Sequence, residues 1–197
     1  GSQLAVLFVD LDRFKHINDA VGHGVGDTVL KLIANRLAGT VRACDVLARL
    51  GGDEFIVAAE DFGDREAVRS LAARMLSAVE QPIVVGEDEF VLTASAGIAM
   101  FPADGADVAA LIKNADVAMY QAKLKGRAGC EVFDAEMHGA LVDRLKLEAD
   151  LRSAVEHGDG AAGYVEVRLG EHAALGAEGK YASDDDLTRT YAGITGK

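Results

Sequence analysis

Two pairs of carboxylates in this chain are spaced so that a metal ion could sit between them. Asp10 and Asp12 flank Leu11 at the end of an apolar run, and Asp53-Glu54 directly follow Gly51-Gly52. Packed carboxylates repel unless a cation lies among them, and hard oxygen ligands suit Mg²⁺. Two such ions about 3.5–4 Å apart can activate a hydroxyl and neutralise a departing phosphate. Acids at strand ends are also commonly just solvated, and turns favour Asp, so the acids alone leave both readings open. The glycines add weight. Gly51-Gly52 lets backbone approach a ligand closely, and Gly22, His23, Gly24 and Gly26 precede a helical stripe whose N–H groups could meet an anion. No Walker sequence occurs, which excludes a P-loop mechanism.

These residues need elements to hold them. Leu4 to Val9 is a continuous apolar run, as in a strand buried on both faces, ending at Asp10. A glycine-bearing loop is expected next, then a helix marked by Leu30, Ile33, Ala34, Leu37 and Val41. Val46–Leu50 and Phe55–Ala59 read as a hairpin around Gly51-Gly52. Val68, Leu71, Ala72, Met75 and Val79 mark a second helix, stopped by Pro82. Ile83–Val85 and Phe90–Ala99 read as paired strands around an acidic turn, Glu87-Asp88-Glu89. A third helical stripe runs from Val108 to Ala122 and ends near Gly126, and Glu131–Phe133 is a last short strand. Helices mixed with hairpins predict an α+β sandwich rather than a doubly wound sheet.

The composition sets limits. A chain of 197 residues accommodates one domain plus appendages. A net charge of −12 argues against a broad nucleic-acid surface, yet leaves room for a small phosphate ligand. Cys44 and Cys130 make neither a disulfide framework nor a metal motif, which points to a reduced, cytoplasmic chain. No apolar run reaches the roughly 20 residues of a membrane span. Leu141, Leu145, Leu151 and Val155 predict a charged connector helix over 135–158, and residues 159–197 form a Gly/Ala-rich appendage without clear periodicity.

The string Arg49-Leu50-Gly51-Gly52-Asp53-Glu54-Phe55 carries the motif that names the GGDEF family of diguanylate cyclases. Phe8-Val9-Asp10-Leu11-Asp12-Arg13-Phe14-Lys15-His16-Ile17-Asn18-Asp19, then Gly22-His23, Gly26 and Asp27, resemble the family's upstream motif. Ala115 to Lys123, then Gly126-Arg127, are similar to its late helix. The spacing agrees from residue 3 to about 134. The resemblance implies a fold like the polymerase palm and adenylyl cyclases: a central, mostly antiparallel sheet flanked by helices. It implies condensation of two GTP into cyclic di-GMP and pyrophosphate, with Mg²⁺ or alternatively Mn²⁺. Asp10, the Leu11 carbonyl, Asp53 and Glu54 are then the metal ligands, with Asp53, Glu54 and Lys15 serving the chemistry. Phe14, Asn18, His23, Asp27, Gly51, Gly52, Lys123 and Arg127 form the GTP site. Asn18 and Asp27 suit the guanine edge, since an amide offers donor and acceptor while a carboxylate accepts from N1–H and the 2-amino group. Lys123 and Arg127, four apart, are expected on one helical face.

Arg42-Ala43-Cys44-Asp45 matches the family's product-inhibition site, with an ordinary i,i+3 ion pair as the plain alternative. Catalysis by this family implies a homodimer, each protomer holding one GTP. The family's opening helix and its Asp-x-Leu-Thr-Gly-Leu-x-Asn-Arg segment do not precede Gln3; Asp185-Asp186-Leu187-Thr188 echoes only the segment's start. Arg144–Leu151 resembles a connector into an EAL phosphodiesterase domain, so a longer composite parent with sensory domains is expected. The competing function is a catalytically silent module that binds GTP or cyclic di-GMP to regulate a neighbour.

Overall fold

The structure, a computed structural model, describes residues 3–139, 164–169 and 173–178. Contacts divide the chain into Gly1–Gly139 and Ala140–Lys197. The first unit runs β1 (Leu4–Leu11), α1 (Phe14–Val21), α2 (His23–Ala38), β2 (Val46–Gly51), β3 (Glu54–Glu60), α3 (Arg65–Glu80), β4 (Ile83–Val85), β5 (Asp88–Phe90), β6 (Ala94–Phe101), α4 (Val108–Leu124) and β7 (Cys130–Val132). Five strands form one sheet in the order β2-β3-β1-β6-β7, in which only the β6–β7 pairing is parallel. This is the expected α+β architecture with a mostly antiparallel sheet.

Strand β1 explains its own apolar run. Side chains alternate along a strand, and Ala5, Leu7, Val9 and Leu11 join a core with Val29, Ile33 and Leu37 of α2 and Val68, Ala72 and Met75 of α3. The alternate residues Val6 and Phe8 are buried too, outside that core, on the face that α4 covers. A strand buried on both faces needs apolar residues at every position, and this one has them up to Asp10. Helices α3 and α4 open on Asp64 and Asp107, whose carboxylates accept from the amides of Ala67 and Ala110 at 2.8 Å each. At the far end of α3, Gln81 before Pro82 turns extended, as the proline ring requires.

Two sequence expectations need correction. The segment after Asp12 is not a glycine-bearing loop but helix α1, and Gly24 and Gly26 lie inside α2. Residues 90–99 do not form one strand: β4 pairs with the short β5 across Gly86-Glu87, while β6 enters the main sheet beside β1. An apolar run broken only by Thr93 and Ser95 gave no sign of the break.

In the second unit, β8 (Tyr164–Leu169) and β9 (Ala173–Glu178) pair antiparallel, with Tyr164 opposite Glu178. The sequence reading placed no element there, because six alternating residues stand out poorly in a Gly/Ala-rich stretch. The expected connector helix beyond Gly139, and Asp185–Thr188, lie outside the described residues. Among the described residues no helix is long and apolar enough to cross a membrane.

Candidate functional site

The two acidic motifs meet because β1 and β3 are neighbours. Their register sets Asp10 opposite Glu54, and the amide of Leu11 donates to the carbonyl of Asp53 at 3.2 Å. Asp10 is buried at 8 % exposure, and the Lys123 ammonium lies 2.6 Å from its Oδ1. Burial pushes the Asp10 carboxyl above its ordinary range. Lys123 pulls it back as hydrogen-bond donor and as charge, and the negative charges of Asp53 and Glu54 push it up again. The hairpin tip is braced: Arg49 Nε donates to the Gly52 carbonyl at 2.9 Å, and Gly52 takes a positive φ of 53°.

These carboxylates suit a hard divalent cation by donor chemistry, and Lys123 already brings a positive charge to Asp10. Among the described residues no three His, Cys, Asp or Glu side chains are gathered into a ready-made metal cage. The acids are neighbours rather than a closed centre.

The second acid of the upstream motif has a different occupation. Asp12 is buried at 7 % exposure and accepts from Thr93 Oγ1 at 2.7 Å, Ser95 Oγ at 2.8 Å and the Ala128 amide at 3.2 Å. Arg127 Nε stands 4.0 Å from its Oδ1. Lys123 and Arg127 do not share a helical face, because α4 ends at Leu124 and Arg127 follows in a left-handed conformation, φ 66°. Lys123 instead addresses Asp10 on β1, and Arg127 addresses Asp12 just beyond it.

Asn18 and Asp27, the residues expected to read the base, lie on α1 and α2, which meet at a corner. Gly26 packs so closely on the Asn18 side chain that a Cβ there would collide with it, and the same Cβ would lie 3.4 Å from Phe14 Cζ. Phe14 itself is core, at 4 % exposure, so its ring supports the corner. Asn18 is half-buried, whereas Lys15, His23 and Asp27 are exposed.

Arg42 and Asp45 form a closed turn on another part of the domain. The Arg42 amide donates to Asp45 Oδ2 at 2.8 Å, and the Asp45 amide to the Arg42 carbonyl at 3.0 Å. Among the described residues no ion pair joins the two side chains, so the plain ion-pair alternative is not what the structure shows. Both line a cleft with Phe62, Ser70, Leu71 and Arg74. Arg74 escaped the sequence reading, where an arginine on the polar face of a helix reads as a solvated charge. Arg49, Thr93 and Ser95 were given no role either, and Asp12 was read only as the second acid of its pair, since its hydroxyl and amide donors lie far away in sequence.

A family profile describing the diguanylate cyclase GGDEF domain matches residues 1–129. The chain belongs to the GGDEF family. The chain is 44 % identical over 154 residues to MucR of Pseudomonas aeruginosa, a bifunctional diguanylate cyclase/cyclic di-GMP phosphodiesterase; the match covers 78 % of this chain and 22 % of MucR. NbdA of the same organism, a cyclic di-GMP phosphodiesterase, is 39 % identical over 155 residues, covering 79 % of this chain and 20 % of NbdA. The curated relatives are thus several times longer than the matched stretch. A solved structure of TpbB from Pseudomonas aeruginosa, comprising only the GGDEF domain, superposes with a TM-score of 0.69 at 39 % identity, covering 71 % of this chain and 82 % of that one.

Proposed function

We propose that this GGDEF domain condenses two GTP into cyclic di-GMP, with Mg²⁺ as cofactor and Mn²⁺ as a substitute. The observation that carries the reading is the meeting of Asp10, Leu11, Asp53 and Glu54 at one end of β1 and β3, beside Lys123. TpbB, which is named a diguanylate cyclase, is 44 % identical over 126 residues and supports it. Asp10, the Leu11 carbonyl, Asp53 and Glu54 would hold the metal, which supplies charge for the transferring phosphate and lowers the pKa of a hydroxyl. Asn18 and Asp27 orient guanine. Lys15, Lys123 and Arg127 hold the phosphates, and Gly51-Gly52 lets the hairpin approach them. Phe14 and His23 shape the corner. The 3′-oxygen of one GTP bonds to the α-phosphorus of the other, its proton leaves, and the bond to the β-phosphate oxygen breaks to release pyrophosphate. Repeating the step closes the ring. Catalysis rests on positioning and electrostatics, with no covalent intermediate on the protein.

Incubation of the purified chain with GTP and Mg²⁺, followed by chromatography, is expected to yield cyclic di-GMP and pyrophosphate. GTP binding without product would replace this reading by the regulatory one. That second reading draws on NbdA, whose name carries phosphodiesterase activity alone.

The reaction needs two protomers, each presenting one GTP. Residues 3–134 serve as the cyclase domain and 135–158 as a connector, and the chain is a piece of a longer signalling protein with sensory and EAL domains. Without those partners dimers form weakly by mass action. Specific activity is therefore expected to rise across a roughly hundredfold increase in enzyme concentration. A constant value over the series would refute the weak dimer.

Cyclic di-GMP bound at Arg42 and Asp45, within reach of Arg74, provides feedback inhibition. The Arg42–Asp45 turn is closed through the Arg42 backbone, so Arg42→Ala removes the guanidinium and leaves the turn intact. Losing a charge-assisted contact costs ~1.5–3 kcal/mol, or at least about tenfold in product affinity. Initial rates stay unchanged while product accumulates further. Calorimetry showing equal product affinity in the variant would remove the feedback site.

A further inference from the structure

The turn that carries Arg127 is held in an unfavourable backbone shape. Gly126, Arg127 and Ala128 take positive φ values of 130°, 66° and 51° in succession. Residues with a Cβ enter this region at a cost, so such a run persists only where outside bonds fix it. Two bonds do so. The Arg127 amide donates to the Ala122 carbonyl at 3.1 Å, which ties the turn to α4, and the Ala128 amide donates to Asp12 Oδ2, which ties it to the end of β1. Asp12 can hold the turn because it is itself locked. Thr93 and Ser95 donate to its two oxygens, and its own amide donates to the Thr93 carbonyl at 2.8 Å.

We propose that Asp12 is a positioning residue for the nucleotide's phosphates: it fixes the turn over residues 126–128 and so sets where the Arg127 guanidinium stands. The inference rests on the reading that Arg127 binds phosphate. Only one nitrogen of Arg127 addresses Asp12, and the side chain remains 46 % exposed, so the rest of the planar fork is open to an anion. The β1 end thus divides its labour. Asp10 lies opposite the hairpin acids, while Asp12 is satisfied by hydroxyl and amide donors and serves the loop.

The test is a calorimetric series with GTP, GDP, GMP and guanosine in the presence of Ca²⁺, binding being read in place of turnover. Asp12→Asn turns one acceptor oxygen into a donor facing the same donors. It is expected to weaken GTP about tenfold, GDP and GMP progressively less, and guanosine not at all. In an Arg127→Ala background the Asp12→Asn effect should vanish. Adding Ala128→Gly, which accepts a positive φ without strain, should restore part of the GTP affinity to Asp12→Asn. Should Asp12→Asn fail to fold, as judged by circular dichroism, Thr93→Val is measured in the same way. It strips one donor from the carboxylate, and a smaller loss with the same phosphate dependence is expected. A loss equal for GTP and guanosine, or an Asp12→Asn loss that survives in Arg127→Ala, overturns the proposal. Unchanged GTP affinity in Arg127→Ala alone would remove the phosphate reading beneath it, and the proposal with it.

Discussion

Asp53→Asn is expected to cut GTP turnover by at least about a thousandfold while leaving the fold intact. The two halves of that result have separate causes. Asp53 sits at the tip between β2 and β3, where its carbonyl accepts from the amide of Leu11. That bond survives the substitution. The side chain belongs to the acidic group around Asp10, and on the proposed mechanism it supplies a negative ligand that an amide cannot replace. Three decades in rate correspond to ~4 kcal/mol of lost transition-state stabilisation. Stability moves the other way. Burial, with help from Asp53 and Glu54, holds the Asp10 carboxyl above its ordinary value. The folded protein therefore binds more protons there than the unfolded chain does, and ionising Asp10 costs stability as pH rises through that interval. Removing the Asp53 charge lessens the cost, so without metal the variant should melt at the same temperature or slightly higher near neutral pH. Pyrophosphate release and thermal melting read the two halves independently. Wild-type rates at saturating Mg²⁺ and GTP would end the metal role for Asp53.

The sequence showed the sheet better than its connections. Leu4 to Val9 displayed a strand buried on both faces because the core with α2 and α3 covers one face of β1 and α4 covers the other, so every position had to be apolar. The β2–β3 hairpin was legible from the Gly-Gly turn between two apolar runs. Helix α1 was missed although Phe14, Ile17 and Val21 recur at helical spacing; only eight residues long and running straight into Gly22, it was read as part of a glycine-bearing loop. The split between β5 and β6 was hidden because Val91 and Leu92 keep the run apolar across the boundary, although Val91 is exposed.

The site followed the same division. Convergence of Asp10 with Asp53-Glu54 needed only the pairing of two strands that the pattern had already located. The relation between Lys123 and Arg127 depended on where α4 stops. Helical spacing extrapolated one turn too far, past Gly126, into a segment whose left-handed backbone redirects Arg127 to Asp12. A conformation of that kind is fixed by tertiary bonds to residues more than a hundred positions away, and local sequence does not encode it. Arg74 joins Arg42 and Asp45 for a comparable reason: only folding brings α3 beside the turn.

Gly97→Ala is expected to be the most destabilising single methyl in the domain. Gly97 lies opposite Phe8 in the β1–β6 ladder, on the face that α4 covers. A Cβ at this position would penetrate the backbone of α4 at Ala115 and Met119. A flexible side chain could swing aside, but a helix backbone can only be displaced whole. Displacing α4 strips its buried Leu111, Ala115, Ala118 and Met119 from the sheet. Overpacking commonly costs ~1–3 kcal/mol, and an immovable neighbour puts this site at or above the upper end. For a domain of this size the melting temperature should fall by roughly 10 °C. Because α4 also carries Lys123, any protein that still folds should bind GTP more weakly than wild type. Gly24→Ala supplies the contrast. Gly24 lies inside α2 with nothing within 4 Å of the added carbon, and its φ is not positive. There the methyl should raise stability by ~0.5–1 kcal/mol, since alanine restricts the unfolded chain and favours helix. The same chemical change is thus predicted to act with opposite signs at two glycines. Thermal melting of both variants decides it, and a Gly97→Ala midpoint as high as that of Gly24→Ala would show that α4 does not pack on β6 as closely as described.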